Sequence, residues 1–114
     1  MPQIVNNGKE LIRANLTNNR IEYSNNQGRS WYSRYTGSSC GYFRDLMYVG
    51  KELLACTSKG VYYSNNDGRS WYSRYTGSSC GDFQSLATDG NVLLATTSKG
   101  LYYSNNQGRS WYRR

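Results

Sequence analysis

The 114-residue sequence has no histidine. That excludes an imidazole general base, histidine metal ligands and a histidine pH switch. No run of about 18 apolar residues is present, so no membrane-spanning helix is expected. No segment carries helical periodicity, and there is a single proline. The cysteines are few and odd in number: Cys40, Cys56 and Cys80. They form no C-x-x-C pair, and without histidine they cannot complete a zinc site. Reduced thiols in a cytoplasmic protein are the simplest account. Residues Met1 to Val5 show neither a charged n-region nor an apolar h-region, so no signal peptide is expected. Acidic residues are scarce, 7 against 14 Lys and Arg, giving a net charge of +7. A balance of that sign favours anionic partners, although no long basic run exists and the charges could simply be scattered over a soluble surface.

Aromatics, by contrast, are abundant. Twelve Tyr, three Trp and two Phe bring them to 15% of the chain, which argues against disorder. With 12 Gly, Asn-rich turns and β-favouring Tyr, Trp and Thr, the composition indicates an all-β protein of one small domain.

Internal repetition decides the architecture. The segment from Tyr23 to Tyr32 recurs from Tyr63 to Tyr72 and from Tyr103 to Tyr112. The first two copies, extended over 23–41 and 63–81, differ only at Gln27 versus Asp67. In the middle unit four strands are expected: A over Tyr42 to Val49, B over Glu52 to Thr57, C over Val61 to Ser64 and D over Trp71 to Thr76. Gly50-Lys51 joins A to B. Asn7-Gly8 and Asp89-Gly90 hold the matching turns, where Asn, Asp and Gly tolerate positive φ. Four strands in about 40 residues is the unit of a β-propeller blade. The units run at about 2–37, 41–77 and 81–114, with the first strand A shortened to residues 3–5.

Ser24-x-Asn26-x-Gly28-x-Ser30-Trp31 resembles the Asp-box, or BNR repeat, usually written S-x-D-x-G-x-T-W. Ser64 to Trp71 and Ser104 to Trp111 repeat it. The resemblance implies sialidase-like propeller blades with this turn between strands C and D. Asn stands where the family usually has Asp, which speaks against a metal role for the turn.

Three blades alone leave two apolar blade faces uncovered. A homodimer joining first blade to third, and so closing a six-bladed ring, is therefore expected. The A–B and C–D turns share one end of the blades, and the B–C turns and D–A connections share the other. The resemblance implies a ligand site at the second end. There the candidates are Arg20, Lys59 and Lys99 from the B–C turns, and Tyr42, Arg44, Asp82 and Gln84 from the start of strand A. Arg74 and Tyr75 of strand D complete the set. Lys and Arg supply charge for phosphate or carboxylate, and the loops Thr36 to Gly41 and Thr76 to Gly81 allow close approach to backbone N–H groups. Trp31, Trp71 and Trp111 are read as blade packing. Arg34, Arg74 and Arg114 align in strand D and are expected to pair with acidic neighbours.

Sialidase chemistry is not expected, because the chain is short and its seven acids show no paired-carboxylate arrangement. No catalytic residue, metal or cofactor is expected, and no membrane partner. The function expected is a non-catalytic, ligand-binding oligomeric propeller, above all lectin-like glycan recognition. The alternative is an intracellular protein sequestering an anionic small molecule such as a nucleotide or cyclic oligonucleotide, for instance one encoded by a phage. A protein-interaction scaffold is the third reading, and nucleic acid is not favoured.

Overall fold

Short apolar segments between Gly- and Asn-rich turns form twelve strands among the described residues. A computed structural model describes residues 3–114; the readings made on Met1 and Pro2 lie outside them. The strands are β1 (Val5–Asn6), β2 (Leu11–Asn15), β3 (Arg20–Ser24), β4 (Tyr32–Tyr35), β5 (Phe43–Val49), β6 (Glu52–Thr57), β7 (Gly60–Ser64), β8 (Tyr72–Tyr75), β9 (Phe83–Asp89), β10 (Val92–Thr97), β11 (Gly100–Ser104) and β12 (Tyr112–Arg113). They form three four-stranded antiparallel sheets, each in simple chain order. These are three propeller blades, with β5 flanked by β1 on one side and β9 on the other as the innermost strands.

The first strand differs from its expected position. It begins at Val5, because Gln3 is drawn across to blade 2: its backbone N–H and side-chain amide both donate to the Asp45 carboxylate, at 2.8 and 3.2 Å. The D strands start one residue late, at Tyr32, Tyr72 and Tyr112. The preceding tryptophan instead turns its indole onto the C–D turn, Trp71 Nε1 donating to the Gly68 carbonyl at 3.0 Å and Trp111 to Gly108 at 2.9 Å.

Each C–D turn is built the same way. Asn26 Oδ1 accepts from the Ser30 backbone N–H at 2.9 Å, and Ser24 Oγ accepts from that of Gly28 at 2.8 Å. In blades 2 and 3 the amide also donates, Asn66 and Asn106 Nδ2 reaching Ser70 and Ser110 Oγ at 3.2 Å. A carboxylate could not donate there, so Asn serves the turn in its own right. Two successive residues take positive φ, Gln27 at 65° and Gly28 at 90° in the first copy. The first is the costlier, because its side chain must be accommodated in the left-handed region.

Blades pack face to face. Val5, Ile12, Ala14 and Ile21 of blade 1 meet Phe43, Leu46, Leu53, Ala55 and Trp71 of blade 2. Met47, Leu54, Cys56 and Val61 on the far side of blade 2 meet Phe83, Leu86, Leu93, Ala95, Tyr102 and Trp111 of blade 3. Arginine clamps reinforce both seams. Arg34 forks onto Glu10 at 2.6 and 2.8 Å, lies 4.1 Å from the Tyr23 ring centre and donates to the Asp67 carbonyl of blade 2. Arg74 repeats this with Glu52, Tyr63 and the Gln107 carbonyl of blade 3.

At the innermost layer sits Asp45, only 3% exposed. Besides Gln3 it accepts from the backbone N–H of Leu46 at 2.9 Å and of Leu86, in blade 3, at 2.9 Å. One carboxylate thus joins all three blades, and removing it leaves buried donors unpaired. Asp45→Ala is expected to lower unfolding free energy by about 2–4 kcal/mol. Asp45→Asn, which keeps an acceptor, is expected to lose less; equal denaturation midpoints for Asp45→Ala and the unaltered chain would refute this role.

Candidate functional site

The residues expected to bind ligand divide between the two ends of the blades. At the B–C and D–A end a small cavity of about 150 Å³ lies between blades 2 and 3, lined in part by Ser58, Lys59, Gly77, Ser78, Asp82 and Phe83. Of the nine candidates only Lys59 and Asp82 line it. Lys59 Nζ donates to the Ser39 carbonyl at 3.3 Å, and Lys99 Nζ to that of Ser79 at 3.5 Å. Both ammonium groups therefore lie over their neighbouring D–A loops. Tyr42 is 70% exposed, and Asp82 and Gln84 are exposed as well. Arg44, carried on the bulge between Phe43 and Asp45, turns toward blade 3 and donates to the Phe83 carbonyl at 3.0 Å. Arg20 donates to Ser33 Oγ at 3.2 Å, while its Nε is buried without a partner. Tyr75 shares a hydrogen bond with Ser79 Oγ at 3.1 Å and lies 3.7 Å from Cys80 Sγ.

Arg74 lies at the other end of the blade. Its side chain is 5% exposed and committed to Glu52. The companion expectation, pairing of the strand-D arginines with acids, describes all three: Arg34 with Glu10, Arg74 with Glu52 and Arg114 with Asp89. The third pair is exposed because Val92 replaces the glutamate that the other blades place beside the clamp.

The cysteines are buried and unbonded to one another. Burial raises the Cys40 thiol, and burial together with the Asp45 charge pushes the Cys56 thiol up to about 12. Thiolate, the nucleophilic form, is thus suppressed at both.

The larger cavity lies at the opposite end, where the A–B and C–D turns meet. It measures about 500 Å³ between blades 2 and 3. Leu93 and Val92 give it an apolar base. Thr88, Asn91, Asn105 and Gln107 surround it with uncharged donors and acceptors, and Arg109 supplies its one cation. The Arg109 guanidinium is held by the Asn106 carbonyl at 3.1 Å and by Gln107 Oε1 at 3.2 Å. A smaller cavity of about 240 Å³ occupies the same end of blade 1, lined by residues including Asn6, Leu11, Asn25 and Gln27. Motif reasoning missed this end, because Asn105 and Gln107 fall inside turns whose formation already accounts for Asn and Gly. The available signal lay in residues of the turn that its own hydrogen bonding does not use.

Comparison with known proteins places the fold. No protein-family model matches the chain, and no curated protein does. Among solved structures, YCF48 bound to a D1 peptide superimposes over 90% of this chain, with a TM-score of 0.68 and 15% identity. YCF48 from Cyanidioschyzon merolae does so over 90%, at 0.63 and 18%. A GH74 enzyme from Niastella koreensis matches over 94%, at 0.59 and 26%. The chain spans 36%, 31% and 16% of those proteins respectively. All are β-propeller proteins, and the likeness is one of blades.

The clamps give a pH dependence. The guanidinium beside each carboxyl holds Glu10 and Glu52 below the usual value of 4.5. Carboxyls lowered in the folded state stabilise it above 4.5, and that contribution is lost as pH falls below it through the folded-state values. Stability is therefore expected to drop on acidification below about pH 4.5. The Glu10→Gln, Glu52→Gln double variant should show a shallower drop in denaturant midpoint across that range; an unchanged slope would exclude the clamps as its source.

Proposed function

We propose that this protein is a non-catalytic, glycan-binding propeller module that closes into a six-bladed ring as a homodimer, its C–D turns being Asp-box turns. The observation that carries the binding reading is the composition of the 500 Å³ cavity. An apolar base ringed by Thr, Asn and Gln side chains suits a pyranose, which offers a C–H face and several hydroxyls. Its volume falls in the range of small-ligand sites. Repeated shallow sites on one oligomer would add avidity. No Asp or Glu stands among the described residues lining the cavity, so it offers no carboxylate pair for glycoside cleavage.

A second reading is favoured by the cavity at the other end. Lys59 beside Ser58, Gly77 and Ser78 suits an anionic small molecule held by backbone N–H groups and an ammonium. Salt separates the two. Glycan-array binding should persist at high ionic strength and weaken about fivefold or more in Asn105→Ala, the loss of roughly one hydrogen bond. Binding that collapses with salt and is lost in Lys59→Ala with Lys99→Ala would replace the glycan reading with the anionic one.

The dimer reading rests on the two outer faces. On blade 3, Leu94 and Leu101 occupy the places of Leu54 and Val61, which are wholly buried in blade 2, yet Leu101 is 41% exposed. On blade 1, Ile4 is 58% exposed. That face also holds an Arg13–Glu22 pair at 2.9 Å, with Arg13 4.1 Å from the Trp31 ring centre. Thr96 of blade 3, which replaces Cys56, offers that pair a hydroxyl. Native mass spectrometry is expected to give twice the 13.0 kDa chain mass, and Leu101→Arg to give the single chain. A folded single chain at micromolar concentration in the unaltered protein would refute closure.

A further inference from the structure

The two turn-end cavities occupy equivalent positions in the blades. Strand register fixes the correspondence: Asn6 lies opposite Leu11, Tyr48 opposite Leu53 and Thr88 opposite Leu93. Every residue lining the cavity of blade 1 has its counterpart lining that of blade 3, among them Asn6 and Thr88, Asn25 and Asn105, and Gln27 and Gln107. The larger volume in blade 3 comes with a wall that blade 1 lacks, formed by Tyr48, Val49 and Gly50 of the preceding blade.

Blade 2 treats this position differently. Tyr48 stands where the other blades have Asn6 and Thr88. Its ring packs against the blade 1–blade 2 core, and its hydroxyl donates to Asp67 Oδ1 at 2.6 Å. Asp67 is the one residue by which the second repeat departs from the first over 19 positions, and the third copy has Gln107 there. So the single change in the turn coincides with the single aromatic at the facing position. A charged acceptor for a half-buried phenol accounts for the pairing. Burial and the Asp67 carboxylate both raise the Tyr48 hydroxyl's pKa, keeping it a donor.

We infer that the turn-end cavity is a threefold-repeated saccharide niche whose middle copy is filled by the chain's own Tyr48, latched to Asp67. One chain then offers two open sites, in blades 1 and 3. This rests on the glycan reading above for the identity of the ligand, but the latch itself does not. The phenol indicates what the niche accepts: a six-membered ring lying on the strand-B leucine, with a hydroxyl directed at residue 67 or its counterpart. In the open copies Gln27 and Gln107 offer a donor and an acceptor to such a hydroxyl, where Asp67 offers only acceptors.

Two probes separate the latch from the ligand. In ¹⁵N–¹H spectra, p-cresol, the lost side chain as a free molecule, should move the amide signals of Asn65 and Gly68 in Tyr48→Ala but not in the unaltered protein. If p-cresol moves them equally in both, or in neither, the latch is refuted. Tyr48→Thr, the residue blade 3 itself uses, serves the same test should the alanine variant not fold. Galactose, mannose and N-acetylglucosamine are the second probes. The sugar that shifts Asn25 and Asn105 in the unaltered chain should leave Asn65 unmoved. In Tyr48→Thr with Asp67→Gln it should shift Asn65 too, a readout in blade 2 that does not depend on the blade 3 cavity, which Tyr48 helps to wall. No third site in that variant would overturn the threefold niche. If none of the sugars shifts Asn25 or Asn105, the saccharide assignment fails, while the p-cresol result still decides the latch.

Discussion

A four-stranded blade has two faces, and in blade 2 both are apolar, so each needs a neighbour to cover it. That demand governs the rest. It is why Leu53 and Leu54, adjacent in one strand and pointing in opposite directions, are both wholly buried. Each buries its side chain in a different seam, for about 1.5–3 kcal/mol apiece. Only blade 2 has both faces covered within one chain. Its neighbours each leave one face without a cover, and it is on those faces that the repeats depart from one another. Blade 1 substitutes an ion pair, Arg13 with Glu22, for the Ala55 and Tyr62 of blade 2. Blade 3 substitutes Ala87 and Thr96 for Met47 and Cys56. The changes are more polar on the blade 1 face and smaller on the blade 3 face.

Packing alone does not fix how far the blades rotate about one another. Directional bonds do that, at three depths. Asp45 joins the innermost strands. The Arg34 and Arg74 clamps join strand D of one blade to the C–D turn of the next. Between them, Asn19 Oδ1 accepts from the Phe43 backbone N–H at 2.8 Å, tying the first B–C turn to the second blade. The clamps need near-identical geometry at each seam, which is reason enough for Arg, Tyr and the turn carbonyl to recur at 40-residue spacing. Asp45 has no such repetition: Gln3 and Ser85 stand near its level in the other blades. A buried carboxylate can be satisfied by neighbours on both sides only in the middle blade of three.

Much of this was legible in the residues. The repeat gave the blades, and the turn residues that bound its segments gave the strands of the middle unit within one residue of their observed ends. What escaped was set by contacts between distant residues. Gln3 leaves its strand for a carboxylate 42 positions away, and no local pattern encodes that. Arg74 lies in strand D, the same strand as Tyr75, and alternation alone could not say which end of the blade its long side chain would reach. The glutamate that claims it is 22 residues earlier. The basic residues of the B–C turns stand at one end, but Lys59 and Lys99 fold back onto loop carbonyls and Arg20 onto Ser33 Oγ, so only Lys59 of the three lines the cavity there.

The site end was illegible for a different reason. A turn that needs Ser, Asn and Gly to form conceals any other use of the same residues. Only deviation between copies exposes it. Positions 24, 26, 28 and 30 are the same kind of residue in every copy because the turn's own hydrogen bonds demand them. Position 27 points elsewhere, its φ positive in all three copies whether Gln or Asp is present. Since the backbone pays the same conformational cost in each case, the side chain must be chosen by what faces it across the cavity. In blade 2 that is a phenol; in blades 1 and 3 it is Asn6 or Thr88 and open space. Near-identical repeats thus isolate a single variable, and the physical partner of the one altered residue marks the surface on which the copies differ in use.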